Sequence, residues 1–139
     1  MLRIGKTAAG AVLCLIGLLL LVGCGEQRIK TAPVKGTVTY KGRPVPHGTV
    51  MFQPDDGPAA TGEIRDGAYV LKTYRDGDGA VLGKHKVTVI SLDDQANRLP
   101  EDRSPLPPAI VPLKYSFPDK SGLTAVVEDK PNVIDFPLK

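Results

Sequence analysis

The stretch Val34-Lys35-Gly36-Thr37-Val38-Thr39-Tyr40 decides the fold. Val34, Val38 and Tyr40 fall on one side of an extended chain, and Lys35, Thr37 and Thr39 on the other. Successive side chains of a strand point to opposite faces, so this alternation predicts a half-buried β-strand. Lys41-Gly42-Arg43-Pro44 ends it in a turn. Six further strands are expected, at residues 48–53, 60–65, 68–74, 84–91, 123–128 and 133–138. Asp66-Gly67 joins the third to the fourth as a two-residue hairpin, because a type I′ turn needs positive φ at both positions. In 84–91, His85, Val87 and Val89 share a face; in 133–138, Ile134, Phe136 and Leu138 should point inward. Residues 75–83 read as a glycine-rich loop, and 92–113 as a long irregular one carrying Pro100, Pro105, Pro107, Pro108 and Pro112. No window after residue 23 sustains a helical apolar period. About seven short strands with turns between them predict an all-β sandwich, with Val38, Phe52, Tyr69, Val87, Val89 and Phe136 in its core.

Ahead of these strands stands a different kind of sequence. Arg3 and Lys6 precede an uncharged run, residues 7–25, that contains Leu21-Val22-Gly23-Cys24. A basic start, a short apolar stretch and a small residue before the cut site make a secretory signal. An uncleaved anchor is the weaker reading: the run is close to the ~20 residues a bilayer requires, but Gly10, Gly17, Gly23 and Gly25 interrupt it. With Cys24 directly after Gly23, the segment resembles a bacterial lipoprotein signal, whose motif is the lipobox. The resemblance implies cleavage between Gly23 and Cys24 and lipid on the Cys24 sulfur. The chain then divides into a signal peptide (1–23), a lipidated Cys with a polar tether (24–33) and one β-domain (34–139). Cys14, inside the apolar run, reads as a small filler.

Removing the signal changes the charge argument. The whole chain carries 18 basic and 15 acidic side chains, a formal +3, but Arg3 and Lys6 leave with the signal. The remaining balance is close to neutral, which gives no case for nucleic acid, a ligand that wants a clustered basic face. Beyond Cys24 there is no cysteine, so no disulfide framework is available and stability must come from a packed core.

The strands carry a resemblance of their own. Residues 34–46 and 48–54, the run Asp66-Gly67-Ala68-Tyr69-Val70-Leu71, and Gly83-Lys84-His85-Lys86-Val87-Thr88-Val89 are similar to a carboxypeptidase regulatory-like domain. His85 stands where that family usually has an aromatic residue. The segments Pro112-Leu113-Lys114-Tyr115 and Ser121-Gly122-Leu123-Thr124 resemble a group of small bacterial lipoproteins built on the domain. The resemblance implies a transthyretin-like, Greek-key sandwich of about seven strands. It implies no peptidase activity, since in the carboxypeptidases this module accompanies a separate catalytic domain. Some transthyretin-like proteins hydrolyse hydroxyisourate and end in Tyr-Arg-Gly-Ser; this chain ends in Phe-Pro-Leu-Lys.

Candidate chemistry is thin. Asp76-Gly77-Asp78-Gly79 hints at a calcium loop, but Ala80, Val81 and Leu82 follow and no Glu arrives at the required spacing. A glycine-rich turn is the better reading. His47 and His85 are the only histidines, too few for a zinc site without Cys; His47 should be exposed after Pro46, and His85 a partly buried filler. Asp55 and Asp56 read as turn residues. Lys35, Glu63 and Asn132 have the residue types of an isopeptide triad, yet Lys35 is on the polar face. In 92–112, Pro105-Leu106-Pro107-Pro108 favours a stiff polyproline stretch, a common docking element; the alternative is a loop pinned by Ile110 and Val111.

The function expected from these residues is non-catalytic: an exported lipoprotein held in the membrane by lipid on Cys24, acting in the cell envelope as a structural or protein-binding module. No cofactor and no metal is expected. Gly25 after the cysteine resembles outer-membrane sorting. Alternatives are a small-molecule or carbohydrate binder using exposed Tyr, and an unrecognised hydrolase.

Overall fold

Why the chain curls rather than lying flat follows from how its strands pair. A computed structural model describes Gly23, Gly25 and residues 27–93 and 109–139. The expected signal peptide up to residue 22, Cys24 and most of the 92–112 loop lie outside the described residues. The described strands are β1 (Thr31–Ala32), β2 (Val34–Tyr40), β3 (Arg43–Pro44), β4 (His47–Pro54), β5 (Ala60–Arg65), β6 (Ala68–Val70), β7 (Ala80–Val81), β8 (Gly83–Ile90), β9 (Leu123–Val127), β10 (Asn132–Val133) and β11 (Phe136–Leu138). The main sheet runs β10-β2-β6-β5-β4-β8-β9, with β3 and β11 also paired to β2. All these pairs are antiparallel except β10 and β11, which run parallel to β2. β1 and β7 form a separate two-stranded ribbon.

Four inter-strand steps separate β4 from β11 along the sheet. At ~4.8 Å each, a flat sheet would hold them about 19 Å apart. Instead the rings of Phe52 on β4 and Phe136 on β11 meet edge to face with centroids 5.8 Å apart. Tyr69 stacks on Phe136 at 6.2 Å, and His85 approaches Phe52 at 5.6 Å. The sheet therefore curls around an aromatic centre, with Val34, Val38, Val50, Ile64, Leu71, Val87 and Val89 buried about it. The expected core residues are all there, and the expected alternation holds on β2, where Val34 and Val38 are buried while Lys35 and Thr37 are exposed. A 3-10 turn, Leu113–Ser116, links the two sides of the curl: the Tyr115 hydroxyl donates to the Lys139 carbonyl at 3.1 Å and accepts the Lys139 N–H at 3.2 Å.

Both two-residue hairpins use the left-handed region. Asp66 (φ 50°) and Gly67 (φ 82°) match the type I′ expectation, and Lys41 (φ 50°) with Gly42 (φ 77°) repeats it.

Three expectations need correcting. Residues 133–138 form two short strands, not one. They break at Ile134-Asp135, where the backbone bulges toward Gly36 and the Asp135 carboxylate accepts the Thr37 N–H (2.9 Å) in place of a ladder bond. The glycine-rich loop 75–83 contains β7, because the chain after Gly79 pairs with β1. The strand expected over 68–74 stops at Val70, with Lys72 adding only an isolated bridge to Thr61. Ahead of β2, Ile29 donates its N–H to the Tyr74 hydroxyl (3.0 Å), Lys30 pairs with Asp129 (2.6 Å), and Thr31–Ala32 is strand.

Candidate functional site

The outward face of β4, β5 and β6 forms an open groove of about 590 Å³, whose lining includes Thr49, Thr61, Glu63, Arg65, Val70 and Lys72. On these strands Thr49, Thr61, Glu63, Arg65 and Val70 alternate with the buried Val50, Ile64 and Tyr69, the last also bordering the groove. The groove's charges are mutually satisfied. Arg65 donates to Glu63 at 2.8 Å, and Lys72 lies 3.5 Å from Asp76. The hydrogen bond from Arg65 holds the Glu63 carboxyl below its ordinary value and raises the guanidinium in return. The groove lining includes neither a cysteine nor a histidine.

The other candidates resolve one by one. Asp78 is occupied by its own loop: its carboxylate accepts the N–H groups of Thr73 (2.7 Å), Tyr74 (3.0 Å) and Arg75 (3.2 Å). Burial works to raise its pKa, but these three donors outweigh it and the group titrates below the usual Asp value. Among the described residues no three His, Cys, Asp or Glu side chains gather as a metal set. His47 is exposed at the start of β4 with Nε2 2.7 Å from the Leu92 carbonyl. His85 is more deeply buried than a partial filler: Nε2 lies 2.6 Å from the Val81 carbonyl, and Nδ1 has no partner. Asp55 and Asp56 sit exposed in the turn after β4.

The isopeptide residues stay apart. Lys35 is exposed opposite Val133, and Glu63 is held by Arg65. Asn132 is buried and works structurally. Its amide donates to the carbonyls of Lys130 (2.6 Å) and Glu128 (3.0 Å), while its oxygen accepts the Glu128 N–H (3.1 Å).

The long loop leaves and returns at one point. Leu92 and Ala109 form an antiparallel bridge, and the Ile110 N–H donates to the Ser91 carbonyl at 2.9 Å. Val111 is buried and Ile110 packs against the core, so the returning end is pinned as one of the two readings supposed. This base lies beside His47, at the end of the domain reached by the Lys41-Gly42 and Asp66-Gly67 turns. β1 and the docked Ile29 lie at the opposite end, near Tyr74 and Asp129.

The tyrosines offer little open ring. Tyr69 and Tyr115 are buried. Cations stand over the rings of Tyr40 (Lys41, 5.3 Å), Tyr74 (Arg28, 5.5 Å) and Tyr115 (Lys114, 4.9 Å).

No protein-family model, curated protein or solved structure matches this chain. The arrangement must therefore be read from its own chemistry. Sequence reasoning missed the groove, whose residues looked like ordinary polar positions of alternating strands; only the pairing of β4, β5 and β6 sets them side by side. It also missed the docking of Ile29, a lone apolar residue between Arg28 and Lys30 with no periodic context.

Proposed function

We propose that this protein is an exported lipoprotein, anchored through a lipidated Cys24, whose β-domain serves as a non-catalytic protein-binding module in the cell envelope. The observation that carries the reading is Leu21-Val22-Gly23-Cys24 placed just before a folded domain. Domain contacts begin by Ile29, so only about five residues separate the lipid from the fold, a reach of about 17 Å at ~3.3 Å each. The groove on β4, β5 and β6 supports binding over catalysis, since its charges are paired and its lining has no Cys or His. The covered tyrosine rings weigh against carbohydrate stacking. We read the finer fold as transthyretin-like, on the strength of the Asp66-Gly67 hairpin and the alternating strand after Gly83.

Metabolic labelling with a fatty-acid analogue tests the anchor. Label should enter the wild-type chain and be absent from Cys24→Ala, which should also stay unprocessed. Stable anchoring needs more than one acyl chain, each buried CH₂ contributing ~0.8 kcal/mol. Label persisting in Cys24→Ala would overturn the assignment.

A further inference from the structure

The domain is close to neutral without its signal, yet its cations are unevenly placed. Five of them, Lys41, Arg43, Lys114, Lys120 and Lys139, are exposed, and among the described residues none is in an ion pair. They lie along one continuous piece of structure. The Lys41 N–H donates to the Leu138 carbonyl at 3.1 Å; Lys139 is hydrogen-bonded to Tyr115; the Phe117 N–H donates to Lys114, and the Lys120 N–H to Phe117. The nearby Asp119 is already taken by Lys86 at 2.7 Å, which lowers its pKa and keeps it charged. Asp55 also acts on Lys86, and Asp66 and Asp93 are exposed toward the turn end, so the five unpaired cations outnumber the carboxylates left around them. Between its cations stand two large apolar side chains, Leu113 (59% exposed) and Phe117 (51% exposed).

We propose that this basic ledge, centred on Leu113 and Phe117, docks an acidic amphipathic segment of a partner protein. The inference rests on the protein-binding reading above and names its surface. Charge complementarity supplies steering and orientation, while Leu113 and the part of Phe117 that Lys120, 5.2 Å from its ring centroid, leaves open supply an apolar anchor that a purely anionic polymer would leave uncovered. Lys41, Arg43 and Lys139 stand at the end of the domain farther from Ile29. A strand of eight residues such as β4 spans about 27 Å, more than the tether can reach.

The test uses the full lipidated chain in neutral detergent micelles. The probes are a short synthetic peptide of Glu, Leu and Phe, an all-Glu peptide of equal charge, and alginate. The mixed peptide should bind tightest, and its affinity should fall as salt shortens the screening length from ~10 Å at 0.1 M toward ~3 Å at 1 M. Lys114→Glu/Lys120→Glu should weaken it ~10-fold or more. Lys84→Glu, a charge reversal off both the ledge and the groove, should leave it nearly unchanged. Equal losses in both variants, or equal binding of all-Glu peptide or alginate, would overturn the proposal. A photo-crosslinker placed at Phe117 or at Val70 in producing cells separates the two levels of the argument. An adduct with an acidic protein at Phe117, lost in Lys114→Glu/Lys120→Glu, supports the ledge. Protein adducts at Val70 alone overturn the ledge and keep the module reading. No protein adduct at either position overturns both.

Discussion

At Gly36 a side chain has no room: a Cβ there would lie 1.8 Å from the Ile134 carbonyl oxygen. That oxygen accepts the Tyr69 hydroxyl at 2.6 Å, so glycine, tyrosine and the bulge between β10 and β11 form one unit. Burial, with Asp135 nearby, pushes the Tyr69 phenol well above its ordinary pKa and keeps it a donor. Gly36→Ala should cost about 3 kcal/mol or more, because backbone must move to admit the methyl. Tyr69→Phe should cost about 1–2 kcal/mol by leaving the Ile134 carbonyl unpaired; urea unfolding measures both. Asp78 belongs to the same scale. Its folded pKa is depressed, so its contribution is complete above the unfolded Asp value of about 3.9 and is lost as pH falls through the lower folded value. Asp78→Asn should therefore flatten the stability loss below about pH 4. A mutant curve that still runs parallel to the wild type there would show that other carboxylates dominate. Neither role was legible in the sequence. Gly36 looked like one more alternating position and Asp78 like a turn residue, since a close approach and a carboxylate cap both depend on where distant chain arrives.

Elements were legible where the alternation was long. β2, β4, β5, β8 and β9 fall within a residue or two of their expected bounds because each has one buried face to declare it. Two-residue strands have no such pattern. β1 and β7 exist because each finds the other, and β10 and β11 because both line up on β2. The candidate site was hidden for the same reason: Glu63 and Arg65 share a strand face visibly, but Lys72 and Asp76 join them only through folding. The long loop is a clear case of an element readable by length but not by role. Its ends are already bridged at Leu92 and Ala109, and loop-closure entropy changes by only ~0.6 kcal/mol per doubling of length. Replacing residues 93–108 with a short Gly/Ser linker should leave the melting temperature nearly unchanged. Val111→Ala, just past the bridge, should cost about 2 kcal/mol through lost burial and a cavity. A linker variant that unfolds would make the loop structural; one that folds but binds less would place the loop in the interaction surface.

Across the whole molecule the aromatic centre ties the curl together. Phe136 touches both Phe52 and Tyr69 from the last strand, so Phe136→Ala should cost about 3–5 kcal/mol and still unfold in one cooperative step, followed by β-type circular dichroism. A stepwise loss would mean that the two halves of the curl are independent. The ribbon of β1 and β7 stands at the edge of that centre, and this has a mechanical meaning under the proposal that the chain is held at Cys24. A pull on the anchor enters at residue 28 and meets, in order, the Tyr74 hydroxyl, the Lys30–Asp129 pair and a two-residue strand, before it reaches β2. These weak holds would peel one at a time, like a seam, and release residues 29–31. The domain would stand off by a further ~10 Å before Ala32, a member of the buried core, is drawn out, so a tug is spent first in lengthening its leash.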